Sequence, residues 1–439
     1  MHKFLNIIPK SINPLQKQSP KHFTRDSKFT FSRLLTFILS ITASGKGKGV
    51  DVKSGDFFRN ARRSGLWPAM EPAHRSTLSK ARSKIDWQIF RDILAEAVDV
   101  ANAIWPKLPH YLWHGMSVYA IDGSKYTLPA TVEIRKEFDP KSGLQYSGKG
   151  HFPQCLVSTA YDVFRRLPIA RTVVSVNASE REQAKDLGAS IPSGSVLLFD
   201  RGYPSYEFIL FLCQSFSGHF VFRCPATSTF PAVESFVKSG KEEDIIWIDP
   251  SNKYLSRANA KQRQKLETIK LRVIRLVAPD GKVSVLLTNL YNRKMFTRSE
   301  IIDLYFRRWE IEGHYRDEKI VLEVEVFHGR TCNSIRQELF AASIMTVISR
   351  TLMVAPFEVL GSETKEFQFK NTIMTLASEA AVLTSDDPEK AIAIFREIIK
   401  ELARVKYYRP KVPRPAQPRV TKKNLNKWAQ AKIKKVANA

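Results

Sequence analysis

Two segments of this chain are built alike, and each delivers an acid to the end of an apolar run. Ser117-Val118-Tyr119-Ala120-Ile121 leads to Asp122, followed at once by Gly123 and Ser124. Ser195-Val196-Leu197-Leu198-Phe199 leads to Asp200, followed by Arg201-Gly202-Tyr203-Pro204. A short apolar run bounded by turn residues reads as an interior strand. Either Asp alone is accounted for as a turn former or helix cap. The pair places the chain in the α/β class, with a mixed sheet whose strand order the sequence leaves open.

A third acid stands in the pattern Y-x2-R-x3-E-x6-K, made by Tyr305, Arg308, Glu312 and Lys319. Thr297-x-x-Glu300 reads as a capping box and Phe296 as a staple onto Ile301, so a helix starts near Arg298. At roughly 100° per residue, Arg308, Glu312 and Lys319 project about −60°, −20° and −40° from Tyr305, placing all four on one stripe. Charge on a helix is usually a solvated face; the two strand-end carboxylates turn the reading toward a site.

Three carboxylates without a Cys or His cluster suit hard cations such as Mg²⁺, which takes oxygen ligands and keeps positions for water and phosphate. Zinc is disfavoured, because Cys155, Cys213, Cys224 and Cys332 form no C-x-x-C pair and no H-E-x-x-H occurs. The cysteines read as buried thiols of a reducing compartment. Gly143 to Gly150 matches the first seven positions of a phosphate-binding P-loop, but the eighth is Gly150 where Ser or Thr is required. A strand follows instead of a helix, so no nucleotide cofactor is expected.

Ile121-Asp122-Gly123, Asp200-Arg201-Gly202-Tyr203 and the Tyr305/Arg308/Glu312/Lys319 pattern together resemble the DDE transposases of bacterial insertion sequences, specifically the insertion-sequence-four family. The resemblance runs from about Tyr119 to Arg350. It implies a ribonuclease-H-like catalytic core with the first two acids on neighbouring strands, the third on a helix, and a β-rich insertion before that helix. By the same resemblance Asp122, Asp200 and Glu312 form the catalytic, metal-binding triad, and Tyr305, Arg308 and Lys319 are flanking DNA contacts; Arg201, beside Asp200, is taken as a further one. Two Mg²⁺ ions per site, with Mn²⁺ able to substitute, would activate the attacking oxygen and stabilise the leaving one. The expected activity is cleavage at the ends of an insertion sequence followed by joining of the freed 3′-OH to target DNA. A metal-dependent nuclease without strand transfer and a catalytically silent DNA-binding relic are the rival readings.

The chain can host such a fold. Strands are expected at 154–161, 167–174, 195–200 and 219–223, and helices at 179–187 and 204–214. Alternating segments at 244–248, 268–277 and 283–288 supply the β-rich insertion. Residues 1–110 read as a basic helical DNA-binding region, with a purely structural helical lid as the rival reading; helical patterns lie around 55–63 and 76–85, and a longer helix capped by Asp86 runs through Ile104. The core is divided into 111–224 and 296–360, the insertion is 225–295, and a carboxy-terminal helical region covers 361–403. Ser334-x-x-Gln337 is expected to cap a buried helix, and Asp387-Pro388-Glu389 to open another.

Lys and Arg number 69 against 43 Asp and Glu, a net charge of +26, which favours a polyanionic partner. Twelve of these cations and no acid lie in 404–439, interleaved with Tyr407, Tyr408 and Trp428; this Pro-containing tail is read as mobile or laid on DNA, the aromatic groups favouring docking onto a groove or a partner over a solubilising tail. Double-stranded DNA, in the form of terminal inverted repeats and target, is the expected partner. Since two element ends must be cut and joined, a homodimer on DNA is expected. The apolar run 34–43 faintly resembles a signal-peptide core but is far too short to span a bilayer, so we expect a packed helix in a cytoplasmic, nucleoid-associated protein with no membrane partner.

Overall fold

The computed structural model describes residues 4, 7–8, 21–24, 27–43, 49–67, 70–105, 108–140, 152–250, 252–257, 259, 266–278, 281–354 and 367–404. The expectations for the 143–150 glycine loop, for much of the basic stretch 1–33 and for the tail beyond Arg404 lie outside these residues.

Eight strands form one sheet: β1 (Val118–Thr127), β2 (Gln154–Asp162), β3 (Leu167–Ser175), β4 (Val196–Phe199), β5 (His219–Pro225), β6 (Glu243–Ile248), β7 (Ile269–Val277) and β8 (Val283–Thr288). Their order is β3-β2-β1-β4-β5-β8-β7-β6. The β1–β4 and β4–β5 pairs are parallel and the other pairs antiparallel. The central strand β4 is buried throughout, as its Val-Leu-Leu-Phe sequence requires.

The helices are α1 (Phe31–Ala43), α2 (Val50–Arg63), α3 (Arg75–Arg82), α4 (Gln88–Ile104), α5 (Val132–Phe138), α6 (Glu180–Gly188), α7 (Tyr206–Ser215), α8 (Pro231–Lys238), α9 (Asn252–Arg257), α10 (Arg298–Phe306), α11 (Trp309–Arg316), α12 (Cys332–Val354), α13 (Phe369–Ser378) and α14 (Pro388–Arg404). Helix α12 is buried on nearly every face and is the post around which α1, α4 and α13 pack, while also lying on β3. The run 34–43 is indeed a packed helix, with α1 buried along almost its whole length. No helix among the described residues is long and apolar enough to cross a membrane.

The amino-terminal helices are fastened to α12 by a buried arginine. Arg82 donates from Nε to Gln337 Oε1 at 2.9 Å, from Nη1 to Glu338 Oε1 at 2.8 Å and from Nη2 to the Ser334 carbonyl at 2.8 Å. Gln337 is therefore committed to Arg82 and not to a capping box at Ser334. The cap of α12 is Thr331, whose Oγ1 accepts from the Ser334 N–H at 3.2 Å. Asp86 performs the capping expected of it, its Oδ1 accepting from the Gln88 N–H at 2.9 Å.

The alternating strands after Pro225 continue the main sheet, because β8 pairs directly with β5. Arg272 on β7, fully buried, ties this extension to the segment entering α10. Its Nη1 donates to the carbonyls of Leu290 at 3.1 Å and Phe296 at 2.7 Å, and Nη2 donates to Glu243 at 2.7 Å.

Candidate active site

The sheet register brings the two strand acids level. β1 and β4 pair in parallel through Ala120 and Leu198, so two residues further on Asp122 stands beside Asp200. Here the strands diverge: β4 stops at Phe199, while β1 runs on to Thr127, hydrogen-bonded to β2 on its other side. Asp122 is thus not the end of its strand, as its sequence suggests, but the point where one neighbour leaves it. Asp200 opens a tight turn, its Oδ1 accepting from the Gly202 N–H at 2.7 Å.

The third acid arrives on a helical segment of uneven pitch. The capping box forms as expected between Thr297 and Glu300. One continuous helix does not follow. Between α10 and α11 the N–H groups of Arg307, Arg308, Glu310 and Ile311 bond to carbonyls three residues back, a tightened turn of the 3₁₀ kind. Asp317–Val321 then opens into a π-helical turn closed by the Leu322 N–H on the Asp317 carbonyl at 3.0 Å. Even pitch was assumed for the Tyr305–Lys319 stripe; the over- and under-wound turns redistribute its members.

Arg308 stands between two of the three acids. It donates from Nη2 to Glu312 Oε1 at 2.8 Å, and its Nη1 lies 3.7 Å from Asp122 Oδ2. Tyr305 is 2 % exposed and Arg308 6 %. The Tyr305 hydroxyl lies near Arg308 and Asp200 without completing a well-aligned hydrogen bond. Lys319 donates to Ser124 Oγ at 2.8 Å and to the Lys125 carbonyl at 2.7 Å, beneath the Tyr126 ring. Arg201 is exposed on the Asp200 turn.

Burial pushes the Asp122 carboxyl from 3.8 up to about 7; Arg308 opposes the rise, while Asp200 and Glu180 add to it. Glu180, in the first turn of α6, is itself raised by burial and by Asp200. It was not singled out from the sequence, where it is one of many Glu residues in an amphipathic stretch. Carboxylates crowded until one resists ionising form a donor set that a divalent cation relieves, and they offer oxygen alone. Among the described residues no three of them are drawn tightly around one point; Arg308 ties Glu312 to Asp122 in their place. All four cysteines are free, with Cys155, Cys224 and Cys332 buried; Cys213, on the outer side of α7, is exposed, unlike the buried thiol expected.

A second carboxylate on this helical segment escaped the sequence reading. Glu318 is completely buried, its Oε1 accepting from Arg171 Nη2 at 2.7 Å and its Oε2 from the Tyr126 hydroxyl. Burial alone would raise its pKa, but Arg171 and His314 bring it below the ordinary carboxylate value. His314, stacked on Tyr161, is pushed down to about 4 by burial and is therefore neutral at pH 7. Tyr315 next to it donates to the Asp122 carbonyl at 2.6 Å and the Val157 carbonyl at 3.3 Å. The only signal in the sequence was spacing: His314 and Glu318 lie four apart, on the face turned from Glu312 toward the sheet.

A family model for the transposase DDE domain matches residues 113–348. Transposase InsG for insertion sequence element IS4 of Escherichia coli (strain K12) is 23 % identical over 360 residues, which are 81 % of this chain and 78 % of that protein. Putative transposase y4zB of Sinorhizobium fredii is 28 % identical over 191 residues, 43 % of this chain and 51 % of that one. A piggyBac transposase solved in a synaptic complex with hairpin DNA aligns over 94 % of this chain and 82 % of its own, at 11 % identity and a TM-score of 0.45, too distant to carry an argument. The family match covers more than half of the chain and includes both strand acids and the helical one, and the chain belongs to the transposase DDE domain family: it is a DNA transposase, an enzyme that cleaves and transfers DNA strands.

Proposed function

We propose that Asp122, Asp200 and Glu312 are the catalytic triad of a ribonuclease-H-like core, and that this transposase cuts the ends of an insertion sequence and joins them to target DNA. The observation that carries this reading is the register of β1 and β4, which sets two acids side by side, with Glu312 joined to Asp122 through Arg308. The same carboxylates would hold Mg²⁺, with Mn²⁺ able to replace it, as two ions per site. When bound, the ions supply activation of the attacking oxygen and stabilisation of the leaving oxygen in an in-line displacement.

The chain's own residues set the geometry. Tyr315 holds the backbone at Asp122, the Gly202 N–H orients Asp200, and Arg308 holds Glu312. Arg308 also brings a fixed positive charge to where a phosphate would lie. Arg201 offers an exposed DNA contact, whereas Arg308 and Lys319 would reach DNA by exchanging protein partners and Tyr305 through its unsatisfied hydroxyl. The triad meets phosphates, which position without specifying, so reading of the terminal inverted repeats is assigned to the helices of 1–110. Two ends call for two active sites, hence a homodimer on DNA in the nucleoid-associated cytoplasm.

Purified protein, Mg²⁺ or Mn²⁺, and labelled DNA carrying the gene's flanking ends provide the test. Nicks at the element boundary followed by joined products, absent with Glu312→Gln, are expected. Unchanged metal-dependent cleavage by that variant would sink the triad assignment.

A further inference from the structure

Helix α6 touches both acid-bearing strand segments through two consecutive residues. Arg181 donates to the carbonyls of Tyr203 at 3.0 Å and Gly202 at 2.8 Å, clamping the turn that Asp200 opens. Glu180 faces β1 at the residue after Asp122. A Cβ on Gly123 would lie 3.0 Å from the Glu180 carboxyl carbon, so the glycine leaves the space into which this side chain reaches.

Glu180 is also badly served for a carboxylate held against a sheet. It is only partly exposed. Lys125 is the cation that favours its charge, while Asp122 and Asp200 oppose it. The Tyr203 hydroxyl, 1 % exposed, is directed at Glu180 without completing a hydrogen bond. A buried, under-bonded hydroxyl beside three carboxylates is a polar wall with an unfilled partner.

We propose that Glu180 is a fourth carboxylate of the metal site, holding a divalent cation together with Asp122 and Asp200, with Tyr203 orienting it and Arg181 fixing the Asp200 turn. This rests on the triad reading above. Charge supports it: two divalent ions bring four positive charges and Arg308 a fifth, whereas the triad alone offers three negative ones. A fourth carboxylate narrows that imbalance before the DNA phosphate arrives.

The test measures Mn²⁺ binding to the full-length protein without DNA, by calorimetry and by the electron paramagnetic resonance signal of free Mn²⁺. Glu180→Gln should weaken binding on the order of ten-fold, Glu180→Asp by less, and Asp122→Asn should remove it. Thermal melts of each variant show that it is folded, and the Asp substitution, which keeps the charge, serves if the Gln variant does not fold. Wild-type Mn²⁺ affinity in both Glu180 variants, with loss in Asp122→Asn, would overturn the proposal while leaving the triad standing; Glu180 would then be only a favourable charge at a helix amino end. Wild-type affinity in Asp122→Asn as well would overturn the triad reading and this proposal with it.

Discussion

Glu312 and Glu318 sit less than two turns apart on one helical segment, yet they live in opposite electrostatic worlds. Around Glu318 the protein supplies every partner: Arg171 and the Tyr126 hydroxyl, with His314 close by, all sealed from solvent. Around Glu312, among the described residues, it supplies Arg308, shared with Asp122, while Asp122, Asp200 and Glu180 push on one another. The first arrangement is complete as folded and holds β1, β3 and the helical segment that carries Glu312 together. The second is short of positive charge, which is how a site waiting for a cation and a phosphate is expected to look. Burial of acids alone does not separate structure from function; whether the chain provides their counter-charges does.

The sharpest way to break this contrast is activity. Glu312→Gln should lower strand cleavage on the order of 10⁴-fold, about 5 kcal/mol of transition-state stabilisation, with little change in melting temperature, as read by end-DNA cleavage beside a thermal melt. Arg171→Met should do the reverse, costing about 3–5 kcal/mol of stability because it strands a buried carboxylate; denaturant unfolding measures it, and a loss below 1 kcal/mol would mean that Glu318 finds another partner.

A pH series sharpens the open cluster. The folded-state pKa of Asp122, about 7, lies above the ordinary 3.8, so the folded chain holds a proton that the unfolded chain has released. Ionising Asp122 therefore costs stability that grows as pH rises from 3.8 to about 7 and is complete above that. In metal-free protein Asp122→Asn should be more stable than wild type by about 2–4 kcal/mol at pH 8, and the gain should vanish toward pH 4. A pH-independent difference would show that crowding is not its source. Smallest is Tyr315→Phe, which removes the hydroxyl joining the two clusters through the Asp122 carbonyl. A loss of about 1 kcal/mol is expected, with a several-fold fall in cleavage rate and unchanged Mn²⁺ affinity.

Much of this was legible before any coordinates. The two apolar runs ending in Asp revealed two strands and their acids, though not that β1 runs on past Asp122, and the Thr297–Glu300 box marked where the Glu312 segment begins, because both are local patterns. Glu180, Arg171 and Glu318 were not legible, since each acquires meaning from a partner distant in sequence. The π-turn at Asp317–Val321 left no trace either; a turn closed by one shifted hydrogen bond has no composition of its own. The alternating segments of 225–295 were legible as strands. Alternation says which residues face inward, not which strand lies alongside, so their joining of the main sheet beyond β5 could not be foreseen.

The buried guanidinium of Arg272 has an engineering consequence. It satisfies the carbonyls of Leu290 and Phe296 from within β7, immediately ahead of the helix that leads to Glu312. The extension is therefore not an interchangeable cassette. A shorter graft between β5 and α10 would have to bring its own buried cation under Phe296, or the lever that aims Glu312 would lose its fulcrum.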